Sequence, residues 1–127
     1  MLKIEALATR LLALGIAGPF AYNRPPLQPA GCITLTEIPG GLSETEGAID
    51  MVYLQIRSRS NKDEPTGARD TSHTIDAVLL NTNNWPVSLA GSLALSVDRL
   101  GGAPIYMDTD DQGRTTYVCN YFIRIQR

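Results

Sequence analysis

The sequence predicts an α+β domain: an antiparallel β-sheet of four to five strands with two α-helices packed on one face. Three observations predict it. Two segments carry apolar residues at helical spacing, other segments alternate in polarity or are rich in β-branched residues, and turn residues separate neighbouring strand segments. At 127 residues the chain is long enough for one core of its own. We therefore assign residues 1–127 to a single domain.

The first predicted element is a helix near the N-terminus. Ile4, Leu7, Leu11 and Leu14 recur at intervals of three and four residues, so they share one helical face. We expect this face to pack on the core and the glycines that follow to end the helix. Arg10 interrupts the apolar stretch, and we expect neither an export signal nor a membrane span.

Two strands and an acidic connection are predicted next. Cys32–Ile38 is strand-like, and Met51–Ser60 alternates in polarity. In the second strand we expect one face to be buried and the other to be wet. The inward residues are Val52, Leu54 and Ile56, and the outward ones are Tyr53, Gln55, Arg57 and Arg59. The polar, acidic segment 42–50 between them is typical of an exposed hairpin tip or a long loop.

The second half of the chain predicts a helix and two or three further strands. Thr66 is a candidate N-cap, and Ile75, Val78 and Leu79 form the apolar face of the helix, which residues 81–84 close. Ser92–Asp98 is a strand candidate. The segment 105–107 then leads into a polar turn at 108–114, and the β-branched run 115–127 is expected to lie inside the sheet.

The composition of the chain limits the classes of function that we expect. The formal net charge is −2 and the isoelectric point is about 5.3, which argues against a nucleic-acid binder that neutralises phosphates. Cys32 and Cys119 both lie in predicted strands, where we expect them to be reduced and buried. His73 is the only histidine and has no nucleophile motif around it. Spacings typical of metal ligands do not occur either. We therefore predict no catalytic residues, no metal, no cofactor and no enzymatic activity.

Two groups of carboxylates are candidates for a contact surface. Asp108, Asp110 and Asp111 resemble the start of a calcium loop, but the chelating Glu expected further on is missing, so a hairpin turn is the better interpretation. The second group is Glu44, Glu46 and Asp50. Two acidic loops beside a sheet suit a ring interface, or a lumen that lets DNA pass without binding it.

The order of these segments resembles a known family. The features are the leading amphipathic helix over 2–14, the prolines at 25, 26 and 29 before the first strand, the Pro39-Gly-Gly sequence with its acidic tail, and the strand from Val52. The chain then ends on Asp110-Asp-Gln-Gly113-Arg114-Thr-Thr-Tyr117-Val-Cys-Asn120-Tyr121. Nearly the whole chain is in this way similar to the tail terminator or minor capsid (head-tail joining) proteins of long-tailed bacteriophages.

This resemblance implies a structural virion protein that is made in the bacterial host cytoplasm and incorporated in the neck of the tail. It implies a homo-hexameric ring at the head-proximal end of the tail tube, which ends tail polymerisation and joins the tail to the head connector. The implied partners are the tail tube protein and a connector or stopper protein, with genome DNA passing through the lumen. Arg57 and Arg59 would then meet Glu44, Glu46 or Asp50 of an adjacent subunit, while Asp108, Asp110 and Asp111 would face the tube or the connector.

Two other interpretations remain open from the sequence. One is another neck protein, a head-completion or stopper protein, a type that tends towards a small barrel with fewer helices. The other is a small cytosolic α+β binding module or enzyme, which a well-formed apolar pocket with convergent polar groups would favour.

Overall fold

The computed structural model describes residues 2–38 and 49–126. Two α-helices and seven β-strands are found in these residues, together with a 3-10 helix at Thr82–Asn84. In chain order the elements are α1 (Ile4–Ala13), β1 (Phe20–Tyr22), β2 (Cys32–Ile38), β3 (Ile49–Arg59), α2 (Pro65–Leu80), β4 (Val87–Leu89), β5 (Ser92–Arg99), β6 (Ile105–Thr109) and β7 (Thr115–Gln126). The predicted acidic connection falls largely on residues outside the described ranges.

All seven strands belong to one mixed sheet. Its order is β1-β2-β3-β7-β5-β4, and β6 pairs with β7 beside the end of β5. β1 is parallel to β2, whereas the other pairs are antiparallel. The prediction of a purely antiparallel sheet of four to five strands was wrong in strand number and in direction. β1 and β4 have three residues each, too few to show an alternating pattern, and their backbone pairing with longer neighbours makes them strands.

The two longest strands form the centre of the sheet. β3 and β7 pair over eleven residues, from Ile49 opposite Gln126 to Arg59 opposite Thr116. The prediction that the last strand lies inside the sheet is confirmed, because β7 has β3 on one side and β5 and β6 on the other.

Both helices contribute to one apolar core. Leu7 and Leu11 of α1 and Ile75 and Leu79 of α2 are almost completely buried. They belong to the same cluster as the inward side chains of the long strands, which include Leu35, Leu54, Ile56, Tyr121, Ile123 and Ile125. The predicted alternation of β3 is confirmed, and so are the apolar stripes of both helices and the α+β class.

The start of α2 differs from the prediction. The helix begins at Pro65 after Glu64, and no side chain caps it, so Thr66 lies in the first turn and is not the N-cap. Proline suits this first position because its fixed φ matches the helix and its missing N–H would be unpaired there anyway. At the other end, the indole Nε1 of Trp85 donates to the carbonyl of Leu79 at 2.8 Å.

Candidate subunit interface

The two arginines of β3 lie on the sheet face opposite the apolar core and are half-buried there. Nη2 of Arg57 donates to the carbonyl of Asn23 at 2.8 Å. Nε of Arg59 donates to the carbonyl of Ala30 at 2.6 Å, and its Nη2 donates to the carbonyls of Pro26 and Pro29. Both arginines therefore point outward from the core as predicted, but they hold the loop 23–31 against the sheet.

The turn 110–114 is organised by one carboxylate. Oδ1 of Asp110 accepts from the backbone N–H groups of Gln112 and Arg114, each at 3.0 Å, and Oδ2 accepts from Nε of Arg114 at 2.7 Å. Nη1 of Arg114 also donates to the carbonyl of Leu27 at 2.9 Å. The backbone hydrogen bond from Arg114, together with its side chain, lowers the pKa of Asp110. Asp110 thus stabilises its own turn, as the hairpin interpretation predicts.

The structure brings four of the eight candidate residues to one place. In register, Arg59 and Asp108 both lie opposite Thr116 of β7, one on each side of it. A small cavity of about 170 Å³ lies over this part of the sheet. Its lining residues are Pro25, Arg57, Arg59, Met107, Asp108, Asp110 and Thr116. Opposite charges thus lie side by side within one subunit.

The other candidate carboxylates lie elsewhere. Asp50 is opposite Ile125, seven residues before Arg57 along β3, a separation of roughly 24 Å at strand spacing. Asp111 is exposed in the turn after β6. Glu44 and Glu46 are outside the described residues. Within one subunit Asp50 therefore cannot reach either arginine of β3.

The sequence analysis did not identify the exposed apolar side chains of β6. All five residues of this strand are exposed, and Ile105, Tyr106 and Met107 are 63%, 55% and 49% accessible. The ring of Tyr106 packs edge-on against Tyr117 at 6.1 Å, and its hydroxyl donates to Oγ1 of Thr109 at 2.9 Å. The three consecutive large apolar residues are visible in the sequence. The sequence does not show, however, that the strand they form lies at an exposed edge beside β7.

A second surface feature lies between α1 and β4. It is a groove of about 550 Å³ with a largely apolar lining, to which Ala6, Ala13, Val87 and Leu89 contribute. Lys3, Glu5 and Arg10 are the ionisable residues of its walls. This groove was not predicted either, because β4 itself has no signal in the sequence.

The remaining chemistry-bearing residues are dispersed. His73 is exposed on α2, and Cys32 and Cys119 are buried and not bonded to each other, as predicted. Burial raises the pKa of the Cys119 thiol. Residues 2–38 and 49–126 contain no cluster of three or more potential metal ligands. None of the helices in these ranges is long and apolar enough to cross a membrane.

Comparison with known proteins finds solved structures of similar fold but no matching family model or curated sequence. No protein-family model matches the chain, and neither does any curated protein. A chain of the virion of a native gene transfer agent particle has the same fold, with a TM-score of 0.75 and 11% identity over 99% of this chain and 96% of that one. A second solved structure gives a TM-score of 0.53 and 15% identity over 94% of this chain and 92% of that one. At these identities the likeness establishes a shared fold.

Proposed function

We propose that this chain is a non-enzymatic structural subunit of a phage-like virion, and specifically a tail terminator. Six copies would form a ring at the head-proximal end of the tail tube. The ring would end tail polymerisation and join the tail to the head connector or stopper protein. Assembly would take place in the host cytoplasm, and genome DNA would pass through the lumen without specific binding.

The single observation that carries the proposal is the structural likeness to the gene transfer agent chain. The match covers 99% of this chain and 96% of the other, so it concerns the entire domain and not a shared fragment. That chain comes from a virion particle, and the tail terminator resemblance of the sequence motifs independently points to the same kind of assembly.

The surface of the molecule supports a role in assembly. A chain of an oligomeric ring must present two complementary patches to its neighbours. Among the described residues, β6 exposes three consecutive large apolar side chains, which a neighbouring subunit would cover in a ring. Arg57, Arg59, Asp108, Asp110 and Asp111 lie around this strand and would form the charged margin of the contact.

One observation favours a different class of function. The groove between α1 and β4 has the volume and the apolar lining of a small-molecule site. A small α+β binding module therefore remains the second candidate. It predicts saturable binding of an apolar ligand by the isolated monomer, whereas the terminator proposal requires assembly.

Electron microscopy tests the proposal. Purified chain is mixed separately with assembled tail tubes and with connector rings from the same genome, and negatively stained grids are compared with tubes and connectors alone. The proposal predicts a cap at one end of each tube and no further growth from that end when tube protein is added. Decoration of the connector without any binding to tubes would instead support a head-completion or stopper protein. Monomers that bind neither would contradict the virion role.

A further inference from the structure

The strand β6 has an open edge with an apolar composition. One edge of β6 pairs with β7, and no other strand of the described residues pairs with its second edge. Such an edge presents free backbone donors and acceptors, which makes it a template for another strand. Ile105, Tyr106 and Met107 lie on it with about half or more of their surface accessible. The strand is thus exposed in its backbone and in its side chains.

The groove between α1 and β4 offers a matching surface. β4 is the last strand of the sheet order, so its outer edge is also unpaired among the described residues. The apolar side chains of Ala6, Ala13 and Val87 stand beside this edge. A strand that added to β4 would therefore gain backbone hydrogen bonds and place its side chains against an apolar wall.

These two surfaces lie at opposite ends of the molecule. β6 pairs with the first residues of β7, Thr115 to Val118. β4 pairs with Ser92 to Ala94 of β5, and that part of β5 lies beside the last residues of β7. Val118 and Ile125 of β7, the nearest residues beside the two surfaces, are seven residues apart, a separation of roughly 24 Å along the strand direction. They cannot meet within one chain, but they can meet between copies.

The charges of β6 and of the groove are also complementary. Asp108 lies on β6 and Asp111 follows closely, whereas the groove has the two cations Lys3 and Arg10 against the single carboxylate of Glu5. Nη2 of Arg10 donates to the carbonyl of Asn84 at 3.0 Å, but its Nε is buried without a hydrogen-bond partner in the described structure.

We propose that β6 of one copy docks in the groove between α1 and β4 of the next copy and adds to the open edge of β4. This inference rests on the proposed function, since it names the contact between neighbouring subunits of the ring. The contact joins two different surfaces head to tail. A heterologous contact of this kind closes into a ring when its rotation permits and otherwise extends into a filament.

The test uses one blocked variant for each surface. Met107→Lys places a charge on β6, and Ala13→Lys places one in the groove. Leu12→Lys, on the exposed side of α1 and outside the groove lining, is the matched control. Molar mass is measured by size-exclusion chromatography with light scattering, and folding is checked by circular dichroism. Both blocked variants are expected to be monomers, while Leu12→Lys assembles as the wild type does.

Mixing the two blocked variants gives the decisive result. Each retains one intact surface, so an equimolar mixture should form dimers and nothing larger. If Met107→Lys or Ala13→Lys assembles like the wild type, or if the mixture stays monomeric, the proposed contact is wrong. Tube capping by the wild type in the same preparation would then leave the terminator role intact.

If the wild type assembles only weakly, crosslinking tests the contact between β6 and the groove separately from the tail terminator role. The double variant Met107→Cys/Ala13→Cys is treated with a flexible bis-maleimide at high protein concentration, beside each single variant. The native cysteines are buried and should react slowly. Covalent ladders from the double variant alone support the contact even if tubes are never capped, a result that would contradict only the terminator role. Absence of ladders, or equal ladders from the single variants, overturns the contact.

Discussion

The hydroxyl of Tyr121 donates a 2.9 Å hydrogen bond to Oδ1 of Asp76, and this bond joins the central strand β7 to helix α2. Nε of Arg99 lies 3.6 Å from the same oxygen. Tyr121 is 1% exposed, and burial, followed by its hydrogen bonds to Cys119 and Asp76, raises the pKa of its hydroxyl. The hydroxyl therefore remains a donor at neutral pH and adds a polar contact between α2 and the sheet to the packing of Ile75 and Leu79 in the core.

Removal of this hydroxyl should weaken the fold. Tyr121→Phe leaves the Asp76 carboxylate with Arg99 alone, and we expect a loss of about 2 kcal/mol in the free energy of unfolding, because hydrogen bonds to charged groups are worth more than neutral ones. Urea denaturation followed by circular dichroism measures it. Tyr106→Phe, which removes the exposed hydrogen bond from the Tyr106 hydroxyl to Thr109, is the control. Equal effects of the two substitutions would contradict the structural role of Tyr121.

The core accounts for a larger part of the stability. Leu54 is fully buried in the core cluster to which both helices contribute, and Leu54→Ala should cost about 2–5 kcal/mol through lost burial and the cavity it leaves. Leu12→Ala, at a side chain that is 56% exposed, should change the free energy of unfolding by less than about 0.5 kcal/mol. Thermal and urea unfolding of both variants check this. Similar values for the two would mean that the helices do not pack as described.

The turn after β6 should depend on pH. The folded protein lowers the pKa of Asp110, so this carboxylate stabilises the native state at neutral pH, and the contribution is lost as pH falls through the folded value. Asp110→Asn removes the ionic part of the contact with Arg114. We therefore expect the wild type to be more stable than Asp110→Asn at pH 7 and the difference to shrink below about pH 4.

The control for this comparison is Asp111→Asn, which changes the net charge equally and leaves the hydrogen bonds of Asp110 intact. Free energies of unfolding are measured across the acid range for all three proteins. A difference between the wild type and Asp110→Asn that does not change with pH would contradict the ionic role of Asp110.

The loop 23–31 should loosen when Arg59 is removed. Arg59→Ala deletes the donors to the carbonyls of Pro26, Pro29 and Ala30, so amide hydrogen exchange in this loop should speed up several-fold. Arg59→Lys should restore protection only in part, because an ammonium group lacks the fork geometry of guanidinium. Arg69→Ala, at an exposed ion pair, is the control. Unchanged exchange in Arg59→Ala would show that other contacts hold the loop.

The elements with a long periodic signal could be predicted from the sequence. The stripe through Leu7 and Leu11, the alternation around Leu54 and the β-branched run of β7 each repeat often enough to identify a helix or a strand. The sequence indicated a short extended piece at Phe20 and Tyr22, but neither its place in the sheet nor β4 could be predicted, because three residues carry no period and the partner strands define them.

The candidate surface was predicted in part. Arg57 and Arg59 do face away from the core, but the sequence could not show that the carbonyls of the preceding loop would fold over them. Asp108 and Asp110 lie near these arginines because β3 and β6 both pair with the first residues of β7. No local pattern in the sequence reveals this register. The apolar residues of β6 are visible in the sequence, yet their exposure follows from the position of β6 at the edge of the sheet, where β7 is its one partner strand among the described residues.

The position of this chain in an assembled particle tests the central claim most directly. A gold-binding tag on the chain, incorporated in the particles of the host that encodes it, can be located by electron microscopy after purification. The terminator proposal predicts one labelled site per particle, at the junction of head and tail. Label spread along the tail, or purified particles without the chain, would contradict it.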